Sequence, residues 1–313
     1  MTIVTTSSLR PIGYVALPAH SGAGGFDHAA VHAASGHVYV AHTANDTVDV
    51  FDPASGRCLF AVPDLPAVAG VLVSDQAQLI IASARGENTI AVFAPGADPR
   101  VRKVAVGMRP NGLAFDAARG MILAANVGDP AVPDSYTLSM VDLATQRMRC
   151  AIPVPGRTRW ALYDPEADTF YVNIMDPAQV VVVDARDPSR IAGAFAIPAA
   201  GPHGLDIDLA THRLFCACDA KVLVTLDAGS GRIMSERPLS GVPDVVFFNR
   251  QRGQLYVAIG DPGVIDVFDT RTMERIGSVA TEAGAHTTAL APGGDRLYAF
   301  LPATHRAAVF QVE

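Results

Sequence analysis

One pattern of short strands returns seven times along this chain, and that recurrence limits the fold more than any composition value does. The second strand of each copy is a brief apolar run: HVYVAH (37–42), QLIIAS (78–83), MILAAN (121–126), TFYVNI (169–174), RLFCAC (213–218), QLYVAI (254–259) and RLYAFL (296–301). Third strands follow, among them TVDVFD (47–52), TIAVFA (89–94), LSMVDL (138–143), VVVVDA (180–185), VLVTLD (222–227) and VIDVFD (264–269). Val, Ile, Tyr and Phe between Ser-Gly, Asp-Pro and Gly-Gly turns are hairpin chemistry, and no segment sustains a helical 3.6-residue pattern. A period of about 42 residues is that of four-stranded propeller blades. The seventh copy stops after its third strand, and PIGYVAL (11–17) resembles the strand it lacks. Pairing the two would close the ring and cover a bare sheet edge. The expected fold is all-β: a single seven-bladed β-propeller over 1–313, closed by its N-terminal strand.

Composition excludes several classes. Half the 313 residues are hydrophobic and 18% are charged, enough for a large core. A net charge of −7 argues against tracking a nucleic-acid backbone. The first twenty residues lack the signature of a secretory leader, and no run is long enough for a membrane helix. The four cysteines have no zinc-ribbon spacing. A cytoplasmic protein that binds neither nucleic acid nor membrane is expected.

In a propeller the first strand of each blade lines the central channel, and the residue at its start stands at one mouth. Aligning the copies puts His28, Ala69, Asn111, Arg159, His203, Asp244 and His286 at this axial position. Blades five, six, seven and one are consecutive around the ring, so His203, Asp244, His286 and His28 should form one arc. Imidazoles and a carboxylate converging on a point suit a divalent transition metal, zinc first, with iron, manganese or copper as alternatives. Three histidines would leave an open coordination position for water or substrate. The competing reading is a wet, polar mouth whose histidines bond neighbouring loops. Asp244 is open to three roles: metal ligand, partner to an imidazole N–H, or general base.

The repeat wording resembles the YVTN-type repeat of bacterial seven-bladed propellers, over nearly the whole chain. That resemblance implies the fold and a superfamily of lactonase-like enzymes, lyases and interaction modules, and no single activity. The arc of His28, His203 and His286 with Arg159 across the channel is similar to the zinc site of peptidylglycine amidating lyase, a six-bladed relative. Calcium sites of the gluconolactonase type would find only Asn111 and Asp244 here.

Further candidates are weaker. The loop VGDPAVPDSY (127–136) is long for its place and would lie over the same mouth, bringing Asp134 and Tyr136 near the pocket. His42 ends a second strand and is a candidate substrate contact, as is Asn111. Trp160 reads as packed between blades, Cys216 and Cys218 as core thiols, His32 as a satisfied core residue, and His305 as surface. Two functions follow. One is a metal-dependent hydrolase or lyase acting on a small-molecule substrate, with Arg159 holding an anionic group and Asp244 or Tyr136 moving protons. The other is a non-catalytic propeller binding a protein partner or small ligand.

Overall fold

The computed structural model describes residues 8–22 and 24–313; residues 1–7 of the N-terminal segment read above lie outside it. Seven four-stranded antiparallel sheets succeed one another along the chain. Among the described residues the one helical element is a single 3-10 turn, Thr43–Asn45. Six blades take four consecutive strands each. The seventh takes Thr288–Leu290, Arg296–Leu301 and Arg306–Val312, and then the N-terminal strand Leu9–Ala16. That strand runs antiparallel to the C-terminal one, from Leu9 opposite Val312 to Ala16 opposite Arg306. The fold is the seven-bladed β-propeller the repeat predicts.

Seven apolar clusters fill the seven gaps between blades, each drawing on two neighbours. Val48, Val50, Ile80 and Ala82 join blades one and two. Val15, Phe51, Tyr298 and Phe300 join blades seven and one. The alternating pattern follows from the pleat: a second or third strand packs both faces against adjacent blades and is buried throughout, whereas fourth strands such as Arg57–Val62 alternate exposed and covered residues at the rim.

The axial position is set by local backbone geometry. In blades two to six the first strand breaks register at or beside the axial residue, as between Pro110 and Leu113, Thr158 and Ala161, and Pro243 and Val246. A bulge bends the strand and re-aims the side chain there. In blades one and seven, His28 and His286 lie just ahead of strands that begin at Ala29 and Thr288. Neighbouring blades touch at this level. His28 donates its backbone N–H to Ala69 O at 3.0 Å, and Val245 donates to His286 O at 3.4 Å. A Cβ on Gly70, Gly112 or Gly204 would run into the carbonyl of Asn111, Arg159 or Asp244 on the next blade. Glycine is required where the ring is tightest. Gly112→Ala is therefore expected to cost about 1–3 kcal/mol, read from denaturant unfolding, since backbone rather than a flexible side chain stands in the way.

Candidate functional site

Asp244 sits at the centre of the predicted arc. Its Oδ1 lies 3.2 Å from His203 Nε2 and its Oδ2 lies 3.8 Å from His286 Nε2. The other nitrogen of His203, Nδ1, is 2.8 Å from Asp219 Oδ1, on the residue that follows the second strand of blade five. Arg159 reaches across from blade four, with Nη1 3.2 Å from His203 Nε2 and Nη2 3.4 Å from Asp219 Oδ2. His286 is anchored by Nδ1 at 2.8 Å from Gly284 O.

These contacts fix the charges. Burial works against a charged His203, but Asp244 and the hydrogen bond to Asp219 more than offset it and raise its pKa to about 9. Burial pulls Asp244 upward, yet the attraction and hydrogen bond of His203, with smaller help from His286 and His28, hold its carboxyl below the usual range. At neutral pH the pair is an imidazolium facing a carboxylate.

His28 takes a different partner from the other two histidines. Its Nε2 lies 3.5 Å from Asp27 Oδ1, and Asp27 Oδ2 accepts from Arg85 Nη2 at 3.1 Å. Its ring stacks on Trp160 with centroids 4.1 Å apart. Burial depresses its pKa, opposed by Asp27 and Asp244. Among the described residues, no group of three or more His, Cys, Asp or Glu side chains stands as a metal-binding set. Of the metal candidates, the structure thus gathers His203, His286 and Asp244, and sets His28 beside them on another carboxylate.

The opposite side of the mouth is cationic, which the axial alignment missed. Arg85 follows the second strand of blade two, and Arg109 and Arg157 stand two residues ahead of the axial Asn111 and Arg159. Partial desolvation lowers the pKa of Arg157, and the charges of Arg159, Arg109 and Arg85 add to that. Three buried polar atoms here have no hydrogen-bond partner: Arg85 Nε, Arg159 Nε and Asn111 Oδ1. All three are sealed from solvent, as are the other unpartnered polar atoms of the described residues, so the guanidinium charges rather than these atoms mark this side of the mouth.

The remaining candidates fall elsewhere. His42 is wholly buried, with Nδ1 2.6 Å from Asp49 Oδ2 and Nε2 2.8 Å from His20 Nδ1, so both ring nitrogens are occupied. His305 joins this cluster, Nδ1 lying 3.2 Å from His20 Nδ1, and is half-buried rather than a surface residue. Tyr136 packs against the core between blades three and four and beneath Gly128, away from the arc. Its loop is held by Ser135, whose Oγ accepts from Asp129 N and donates to Asp129 O, and Asp134 at its tip is exposed. Trp160 lines the axial channel as well as packing between blades four and five. Cys216 and Cys218 are buried free thiols, and His32 is buried with Nδ1 2.8 Å from Ser35 Oγ.

Fold and mouth together define a seven-bladed propeller with a charged axial pocket. The chain is similar to a chain in the crystal structure of the mitotic checkpoint complex, with a TM-score of 0.81 at 13% identity, covering 96% of this chain and 91% of that one. Likeness at that identity shows the fold alone. Among curated proteins, it is 24% identical over 197 residues to the uncharacterized protein YncE of Salmonella typhimurium, covering 61% of this chain. It spans about half of that relative's length, 54%. No family model matches the chain. No helix among the described residues is long and apolar enough to cross a membrane, which says nothing of a β-barrel.

Proposed function

We propose that the axial mouth binds a small anionic molecule and that the His203–Asp244 pair moves a proton on it, in a hydrolase or lyase reaction. The observation that carries this reading is the surplus of positive charge gathered at the mouth. Arg85, Arg109, Arg157, Arg159 and imidazolium His203 are five cations against the three carboxylates of Asp27, Asp219 and Asp244. The excess of two positive charges suits a ligand carrying one or two negative ones. His203 would act as acid and Asp244 as its counter-charge or as base. The likeness of the second and third strands to YVTN-type repeats supports, as part of the same proposal, kinship with those propellers.

The test is a melting series with phosphate and malonate. Both anions should stabilise the wild type by mass action, and the Arg85→Gln, Arg159→Gln double variant should need at least about tenfold more anion for the same shift. Equal shifts in the two proteins would remove the basis of the reading.

A second reading keeps the metal. Asp244 offers both oxygens toward two imidazole nitrogens, and Asp219 holds His203 Nδ1 as a carboxylate holds a metal-bound imidazole. An ion there would have to displace the proton on His203 Nε2 and stand beside the Arg159 guanidinium, whose Nη1 is 3.2 Å from that nitrogen. If this reading holds, zinc, manganese or iron should raise the melting temperature of the wild type more than that of a His28, His203, His286 triple-alanine variant. Identical responses would dismiss it.

A further inference from the structure

The rings of His28 and Trp160 meet with centroids 4.1 Å apart. They belong to blades one and four, three steps apart and so as far from each other as a ring of seven allows. Their contact bridges the channel and divides what lies below from the charged mouth. Below it is a cavity of about 330 Å³, walled by the first strands of blades one to four and six. Trp160, Phe115, Tyr163 and Phe247 turn this wall aromatic, and Leu72 and Leu162 complete it. Phe115 and Tyr163 stand four residues down their strands from the axial level, about 13 Å at the usual strand rise. Both, with Ala117, also line the pocket at the far face of the ring. The cavity therefore opens away from the charged mouth.

No Asp, Glu, Lys or Arg lines the cavity among the described residues. Burial lowers the pKa of His28, so its ring is neutral at pH 7. Tyr163 and Ser74 turn their hydroxyls to the protein: Tyr163 donates to Asp168 Oδ1 at 3.1 Å, and Ser74 Oγ accepts from Ala77 N at 3.2 Å. Arg119 at the open end is paired to both Asp116 and Asp168, which leaves no spare cation there. Buried water needs two to four polar partners, and few remain here. A charged guest would lose its hydration with nothing to replace it. An apolar cavity of about 150 Å³ stays dry and holds benzene, and this one is about twice as large.

We infer that the channel is a second binding site, for a small uncharged molecule of two fused aromatic rings that enters from the face opposite the charged mouth. Trp160, Phe115, Tyr163 and Phe247 offer ring faces and edges for offset-stacked and edge-to-face contacts. The site goes beyond the anion reading and stands without it, since no arginine or carboxylate of the mouth lines the cavity.

Trp160 is the only tryptophan, so its indole N–H gives a single signal in a proton–nitrogen NMR spectrum and reports from the cavity wall. Naphthalene should shift that signal saturably. Benzene should need on the order of tenfold more for half the effect, because it buries less apolar surface. Ala30→Leu fills the cavity near the His28–Trp160 pair, and Ala117→Leu narrows its open end. Either should weaken naphthalene binding at least about tenfold, so one suffices if the other fails to fold. Phosphate, the probe of the mouth, should leave the naphthalene curve in place. The absence of a saturable shift with naphthalene would overturn the site. Unchanged affinity in both leucine variants would overturn it too, by placing the probe elsewhere. Displacement of naphthalene by phosphate would make cavity and mouth one site and contradict the inference. Benzene binding as tightly as naphthalene would overturn the two-ring class.

Discussion

Asp244→Asn is expected to lower the titration midpoint of His203 by at least about one unit from its value of about 9, as followed by NMR of the ring. The substitution keeps shape and removes the charge that contributes most to holding the imidazolium. Stability follows the same linkage. A histidine whose folded pKa lies above its unfolded 6.5 contributes stability that is fully present below pH 6.5 and is lost as pH rises through about 9. The span of about 2.5 units corresponds to on the order of 3 kcal/mol for this largely buried pair. Wild-type unfolding free energy should therefore fall between pH 6.5 and 9.5, and the slope should shrink in Asp244→Asn. At the acid end the sign reverses: Asp244, depressed in the fold, contributes stability above its unfolded value and loses it as pH falls. If wild type and variant show the same alkaline slope, the ion pair is not charged as described.

Deleting residues 1–18 should abolish cooperative folding or leave an aggregating chain. The deletion removes the strand paired to Arg306–Val312 and takes Leu9, Val15 and Leu17 from the core. Three buried side chains at about 1.5–3 kcal/mol each approach the whole stability of an ordinary domain, and the C-terminal strand would become an open edge. Size-exclusion chromatography and thermal melting decide the matter. A monomer melting at the wild-type temperature would contradict the role assigned to closure.

The fold was legible because seven copies of one strand pattern must stack into a closed ring, and because the last copy lacked a strand that the N-terminus could supply. The axial ring was legible for the same reason, since a repeat position is a spatial position. That logic located His203, Asp244, His286 and Arg159 together. It could not tell that His28 would turn to Asp27, because rotamer and partner are not repeat properties. It also overlooked the charges one step from the aligned column. Arg85 and Asp219 both follow a second strand, where other blades carry Thr43, Val127, Met175, Gly260 and Pro302. Aligning that second column would have exposed them, and a third column, two residues ahead of the axial one, holds Arg109 and Arg157. Tyr136 and His42 were misjudged differently: loop length and strand-end position say where a residue begins, and the packing beneath Gly128 or against Asp49 decides where its side chain goes.

The central claim is that the cationic side of the mouth receives an anion, and anomalous diffraction from crystals soaked in selenate tests it most directly. Selenate scatters strongly and presents oxygens to guanidinium groups as a ligand anion would. The account predicts a selenium peak in the axial mouth beside the Arg85 and Arg159 guanidinium groups, absent from the Arg85→Gln, Arg159→Gln variant. Peaks confined to outer-surface arginines, with the mouth empty at the same selenate concentration, would contradict it.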